Sequence, residues 1–382
     1  SQQDLPFDMV PFFYSDVRNP KNYALNIQNE NSAGGWTNPL IADWFSEYAR
    51  TAYNLYGDRV KTWITINEAV VVCDAAYNLG VLAPGVVQPD HAGYICNKNI
   101  LMAHAKAYRI YDEEFRHKHQ GRVSLANQLM WFESETDDDK ELAELVMQNM
   151  AGRYSHPIFS KEGGWPKALE KIVAENSKKQ GYSASRLPPF TEKEIEFIKG
   201  TYDFYALNHY TSRTVRKPKP GEEVRNFPVW GVPELGAVLA GRPEWNMADS
   251  TWFLVKGLRL TLKWLTHNYG DDLRIIITEN GYASSETGLR DDKRVKYYKD
   301  YLEQVLLSIK DDHVNVEGYT AWTLLDNFEW IDGYTIKFGL YEVDFEDPDR
   351  KRTARDSALY YKEVIKQNKL VDIPHKDVRE DL

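Results

Sequence analysis

Apolar and polar positions along the chain switch repeatedly between a helical period and a strand period. From Asn38 to Tyr56 (NPLIADWFSEYARTAYNLY) apolar residues recur at helical spacing just behind Pro39, and Gly57-Asp58 closes the run, which predicts a helix. Val60 to Glu68 (VKTWITINE) is β-branched and aromatic and predicts a strand. The alternation continues with a helix over Lys98 to Lys118, a strand over Arg122 to Asn127 and a helix over Asp139 to Ala151. Thr191 stands three residues before Glu194, a capping-box pattern that opens a helix reaching Lys199. A strand follows over Tyr202 to His209, then a helix over Ser250 to Tyr269. Leu273 to Thr278 (LRIIIT) reads as a strand buried on both faces. A helix over Arg290 to Lys310, a strand over Val316 to Leu325 and a last helix over Thr353 to Gln367 complete the series.

Strands separated by helices imply right-handed βαβ units and a parallel sheet, here with five strand–helix units and no fixed-length repeat. Two stretches break the rhythm. Phe7 to Ala33 is polar and aromatic without period, and Arg216 to Trp245 is rich in Pro and Gly. Both read as long loops, which are uncommon in compact domains unless functional. The 382 residues could hold two average domains, but α/β barrels often exceed about 200 residues as one unit, so residues 1–382 read as a single domain.

Composition removes several function classes. With 42% hydrophobic and 27% charged residues the chain is not disordered as a whole. A net charge of −10 disfavours a polyanionic partner, so no nucleic acid is expected. No apolar run approaches the roughly 18 residues of a spanning helix, so no membrane partner is expected either. Aromatics at 13% fit a bulky core or sugar-stacking faces. The nine His residues show no His-x-His or His-Glu-x-x-His spacing, and the acidic run Glu133 to Glu141 lacks the central Gly of a calcium loop. Neither a metal nor a cofactor is therefore expected, and a metal-dependent hydrolase is disfavoured. Cys73 and Cys96 have no metal-ligand spacing; they could pair or serve as small apolar fillers.

Chemistry concentrates at two strand ends, Asn67-Glu68 and Glu279-Asn280. Residues at the C-terminal ends of parallel barrel strands face the mouth where active sites form. A carboxylate pair across that mouth suits glycosidic bond cleavage, which needs one protonated and one ionised carboxyl. The competing reading makes each Glu a surface acid or the partner of an Arg.

The residues around both carboxyls resemble glycoside hydrolase family 1. Gly34 to Pro39, Tyr48-Ala49-Arg50, Gly57 to Lys61 and Trp63 to Glu68 resemble its acid/base region. Asn208 to Ser212 resembles its strand-six motif, Ile277 to Gly281 its nucleophile motif and Ala321 to Trp330 its sugar-binding strand eight. Phe338-Gly339-Leu340, Val343-Asp344-Phe345 and Arg352-Thr353 resemble its closing segment, so the likeness runs from Gly34 to about Lys366 in the family's order. The resemblance implies a (β/α)8 TIM barrel and a retaining β-glycosidase acting through a covalent glycosyl-enzyme. It implies Glu279 as nucleophile and Glu68 as acid and then base. It further implies that Asn67 binds the sugar 2-hydroxyl, Tyr210 orients Glu279, Trp322 floors the sugar, and Glu329 and Trp330 contact its outer hydroxyls. A carboxylate at Glu329 would repel a phosphate, and an intact Glu68 separates the chain from plant thioglucosidases, which carry Gln there. The expected partner is a small-molecule β-glycoside: a β-glucoside first, with β-galactosides or β-fucosides as alternatives. The wording resembles animal, particularly insect, members and implies secretion, for instance into a gut lumen. Aglycone and oligomeric state stay open.

Against the family pattern the front of the chain departs. Only strands four to eight are recognisable, and strands one to three, with their Gln, Arg and His-Trp-Asp-Leu-Pro residues, are expected to be missing. Asp4-Leu5-Pro6 follows Gln2-Gln3 where His-Trp is expected, residues 7–33 read as an atypical insert, and Ala69 stands where Pro is usual. A barrel short of three strands has bare edges. The alternative function is therefore an inactive, truncated member that at most binds sugars or a protein.

Overall fold

The computed structural model describes residues 9–11, 34–89, 91–225, 232–248 and 251–372. A six-stranded parallel sheet organises them: β1 (Met9–Pro11), β2 (Thr62–Asn67), β3 (Arg122–Gln128), β4 (Tyr205–Asn208), β5 (Ile275–Asn280) and β6 (Val316–Ala321), in that spatial order. Neighbours pair in parallel register, for example Thr62↔Arg122, Ala126↔Ala206 and Ile275↔Tyr205. These last five are the strands expected from the sequence, each within a few residues of its predicted span. β1 corrects the reading of residues 7–33 as loop throughout, because Met9 pairs with Thr62 and Pro11 with Ile64. Pro lacks an N–H for a ladder, which an edge strand tolerates. The rest of that stretch, with Gln2 to Pro6, lies outside the described residues.

Helices cover the outside of the sheet. Of α1 (Ile41–Tyr56) and α2 (Ala92–Ile110), the first carries Tyr53, which packs edge-on against Tyr111 just past the end of the second with ring centroids 4.9 Å apart, and Tyr53 meets Trp63 of β2 at 5.0 Å. These rings and Val123 form an outer apolar cluster beneath the two helices. On the other face, Ile64, Ala126, Phe204, Ala206 and Ile276 form an inner cluster inside the curved sheet. Later in the chain, α3 (Lys256–Tyr269), α4 (Asp292–Lys310) and α5 (Asp356–Gln367) follow β4, β5 and β6. The predicted helix over Ser250 to Tyr269 is shorter than expected, because Thr251–Phe253 pairs antiparallel with Asn246–Ala248 instead. Within the expected Arg216 to Trp245 loop, Val232–Leu235 is helical and Val238–Ala240 pairs with Thr214 to Arg216.

Cys73 and Cys96 form a disulfide, joining the π-helical segment Val71–Asn78 after β2 to α2. Beside it, Arg153 donates to Asp74 Oδ2 at 2.6 Å, and both side chains are buried. The segment after β2 is thus held covalently and by an ion pair. No helix among the described residues is long and apolar enough to cross a membrane.

Candidate active site

Four strand ends meet at one edge of the sheet. β2 runs out at Asn67 and hands over to Glu68; β4 ends at Asn208, just before His209 and Tyr210; Glu279 lies in the last turn of β5; β6 ends one residue before Trp322. Because the strands are parallel, all these C-terminal ends open on the same side. Glu68 has φ of 50°, a left-handed conformation uncommon for a residue with a Cβ. Two groups hold it there: its N–H donates to Ala126 O at 2.8 Å, and its carbonyl accepts from Val71 N at 2.8 Å.

One buried amide ties the two carboxyl-bearing strands together. Asn208 Nδ2 donates to Glu68 Oε1 at 2.9 Å and to Asn67 Oδ1 at 3.0 Å, while Asn208 Oδ1 accepts from Thr278 Oγ1 at 2.6 Å. Asn208 is the cross-strand partner of Glu279, and its amide also supports the ionised form of that carboxyl. Tyr210 Oη donates to Glu279 Oε2 at 2.6 Å, and its ring meets Phe338 edge-on at 5.9 Å. The adjacent Asn280 is satisfied from three sides: its amide donates to His209 O at 2.6 Å and Tyr297 Oη at 2.9 Å, and Tyr319 Oη donates to its carbonyl at 2.6 Å.

The segment after β6 forms the opposite wall. Trp322 N–H donates to Asn280 O at 2.8 Å, and Tyr298 Oη donates to Trp322 O at 3.1 Å. A Cβ at Gly281 would lie 1.9 Å from that carbonyl, so only glycine lets the two segments approach. Glu329 is half-buried and accepts a hydrogen bond from the Trp322 side chain, and Trp330, at φ 48°, is 37% exposed at the rim. This wall carries exposed apolar residues, with Phe328 62% and Ile331 77% accessible. It is anchored instead by a buried ion pair. Arg355, at the start of α5, donates to Asp326 Oδ1 at 2.9 Å and Oδ2 at 2.7 Å, and Asp326 also accepts from Gly339 N at 3.0 Å.

Electrostatics single out the same acids. Burial pushes the Glu68 carboxyl above its ordinary range; the Asn208 amide opposes the shift and the charge of Glu329 adds to it. Burial likewise raises Glu279, and the Glu68 charge raises it further, against the pull of the Tyr210 and Asn208 donors. Because the charge on Glu68 raises Glu279, the two titrate as a pair, and over a pH interval one holds a proton while the other is ionised. Glu329 is raised by burial, opposed by its bond to Trp322.

The structure brings Glu68, Glu279, Asn67, Tyr210, Trp322 and Glu329 to the same end of the sheet, with Trp330 at the edge. The sequence reading missed Asn208 and Thr278, which link the two carboxyl strands, and the Asp326–Arg355 anchor. Polar side chains at the ends of otherwise apolar strands were the available signal for Asn208 and Thr278. No group of three or more His, Cys, Asp or Glu among the described residues could hold a metal ion.

Comparison with known proteins agrees with this architecture. The profile described as Glycosyl hydrolase family 1 matches residues 24–370. Myrosinase 1 of Brevicoryne brassicae is 41% identical over 345 residues, covering 88% of this chain and 71% of that protein. Cytosolic beta-glucosidase of Homo sapiens is 37% identical over 356 residues, covering 90% of this chain and 73% of the relative. A solved rice beta-glucosidase, a mutant in a covalent complex with Glc, superposes with a TM-score of 0.80 at 31% identity, covering 93% of this chain and 75% of that one.

Proposed function

The chain belongs to glycosyl hydrolase family 1, whose relatives here are glycosidases built on the (β/α)8 barrel, and from that premise we propose that it hydrolyses O-linked β-glucosides with retention of configuration. In the first step a Glu279 oxygen bonds to the anomeric carbon as the bond to the aglycone oxygen breaks. Glu68 gives its proton to that oxygen. In the second step Glu68, now ionised, takes a proton from water as the water oxygen attacks the anomeric carbon. Glu279 is released as a carboxylate and Glu68 is protonated again.

The observation that carries this reading is the pair of buried carboxyls at strand ends, Glu68 accepting from Asn208 Nδ2 at 2.9 Å and Glu279 from Tyr210 Oη at 2.6 Å, with the Glu68 charge acting on Glu279. A second carboxyl close enough for the Glu68 charge to raise it suits a retaining pair, about 5–5.5 Å apart, in which that carboxyl attacks. In this reading Asn67 meets the 2-hydroxyl, Trp322 floors the sugar, and Glu329 with Trp330 contacts the outer hydroxyls. The carboxylate at Glu329 favours an unphosphorylated sugar, and β-galactosides and β-fucosides are further candidates. The Cys73–Cys96 disulfide supports an oxidising, secreted location such as a gut lumen.

One observation favours the alternative, a family member that binds sugar without turnover. Among the described residues β6 pairs on one side only, and its residues are half-buried where those of β4 and β5 are buried. Turnover of an aryl β-glucoside by the purified chain decides between the two. The expected result is turnover that releases the β-anomer first and falls at least about 10⁴-fold in Glu279→Ala. Soluble, folded protein with no turnover would establish the binding reading instead.

A further inference from the structure

Thr278 makes no hydrogen bond to either carboxyl, yet its hydroxyl favours one orientation of the amide that holds Glu68. Asn208 is buried, and its carbonyl faces the Thr278 hydroxyl at 2.6 Å while its NH2 faces Glu68 Oε1 and Asn67 Oδ1. Turning the amide over would set its carbonyl against two acceptors and leave the Thr278 hydroxyl, which could then only accept from the turned NH2, with no acceptor for its own hydrogen. The hydroxyl therefore stabilises one orientation from behind, in a place where water does not compete. That orientation has a consequence for Glu68. An oxygen that accepts from an amide N–H at 2.9 Å cannot carry a hydrogen pointing at the same nitrogen. Oε1 is the bare oxygen, and the acidic hydrogen belongs on Oε2.

We propose that Thr278 is a positioning residue which, through Asn208, confines the Glu68 proton to Oε2, the oxygen that delivers it to the leaving group. The proposal rests on the reading of Glu68 as the acid. It assigns to the nucleophile strand a share in the acid step, since Thr278 is the residue directly before Glu279 on β5. The Tyr210 donor to Glu279 is left in place by a change at Thr278. Without the Thr278 donor the turned amide is penalised less, so that part of the enzyme holds Glu68 protonated on Oε1 and only the remainder is competent to protonate a leaving group.

The test uses two substrates that differ in their need for an acid, phenyl β-glucoside and 2,4-dinitrophenyl β-glucoside, with Thr278→Val, Thr278→Ser and Glu68→Gln. For Thr278→Val, kcat/KM should fall about 10–100-fold on the phenyl glucoside, part of the range that general acid catalysis covers. On the activated substrate it should fall no more than about 3-fold, because a good leaving group departs without the proton. Thr278→Ser keeps the hydroxyl and should regain most of the phenyl glucoside rate. An equal loss on both substrates, a loss that Ser does not rescue, or no loss overturns the proposal. Should Thr278→Val fail to fold, Thr278→Ala removes the hydroxyl without adding bulk, and the same criterion applies. Glu68→Gln keeps the two ideas apart: if it too fails to discriminate between the substrates, the role of Glu68 as acid falls, whatever Thr278 does.

Discussion

The two walls of the site are held in different ways. On the inner wall, β4 and β5 bury almost every residue, and Asn208, Thr278, Tyr210 and Glu279 are joined by hydrogen bonds of 2.6 Å between adjacent strands. The outer wall, from Trp322 to Asp332, follows the half-buried β6 and carries exposed Leu324, Phe328 and Ile331. Apolar burial contributes little to its position, and the buried Asp326–Arg355 pair takes over that task. On the inner wall a change of one polar atom should therefore alter chemistry more than stability. On the outer wall the order should reverse.

The largest expected effect breaks the outer wall. Arg355→Met leaves the Asp326 carboxylate buried without its partner and should cost about 3–5 kcal/mol of stability, read from denaturant unfolding. Replacing both charges, Asp326→Leu with Arg355→Met, removes the uncompensated charge and should regain most of that loss. A single variant that unfolds like the parent would show that the wall stands without the ion pair. A double variant as unstable as the single one would show that hydrogen bonds from Gly339 and Val343, not charge, carry the anchor.

A smaller effect probes the inner wall. Tyr210→Phe removes the donor to Glu279 Oε2 and little else. A hydrogen bond to a charged group contributes about 1.5–3 kcal/mol, which corresponds to a fall in kcat of roughly 10–150-fold. The direction of the pH change is also determined. That donor holds the Glu279 carboxyl down against the rise caused by burial, so its loss raises the carboxyl further, and the acid limb of the pH–rate profile should move to higher pH. An acid limb that stays in place, with an unfolding transition that drops steeply, would mean that Tyr210 belongs to the packing and not to the charge balance.

The contrast also explains what could be read from the sequence. β2 to β6 were legible because β-branched runs end at polar residues, and Asn67-Glu68 and Glu279-Asn280 were visible as chemistry by their place at those ends. The helix Lys167–Lys179 escaped because few of its residues, Leu169, Val173 and Ser177, are buried. β1 escaped because three residues in a polar stretch carry no period. Nothing in the spacing of Asp326 and Arg355 marks them as partners, since the two lie in separate loops and only the fold decides that both are buried. Asn208 stood within a recognised motif, but its role depends on which strand lies on either side of it, and that is a property of sheet order rather than of sequence.

The smallest effect sharpens the comparison at its centre, where the site's chemistry opposes its stability. Burial raises the Glu68 carboxyl above its value in the unfolded chain. Below the ordinary carboxylate range both states are protonated, and this group adds no pH dependence. As pH rises past that range the unfolded chain releases the proton while the folded chain keeps it, so the unfolded state binds fewer protons and stability falls. The fall continues until pH passes the raised folded value, and then levels off. Glu68→Gln has no proton to release and should escape this loss. Its melting temperature should therefore exceed that of the parent by about 1–2 °C at pH 8 and by less at pH 5, while activity on poor leaving groups collapses. The same substitution at an outer-wall acid of ordinary exposure, such as Asp332→Asn, should shift neither temperature. A Gln variant less stable than the parent at pH 8 would mean that Glu68 is held in its strained backbone by its charge, with the Asn208 hydrogen bond outweighing the cost of burial.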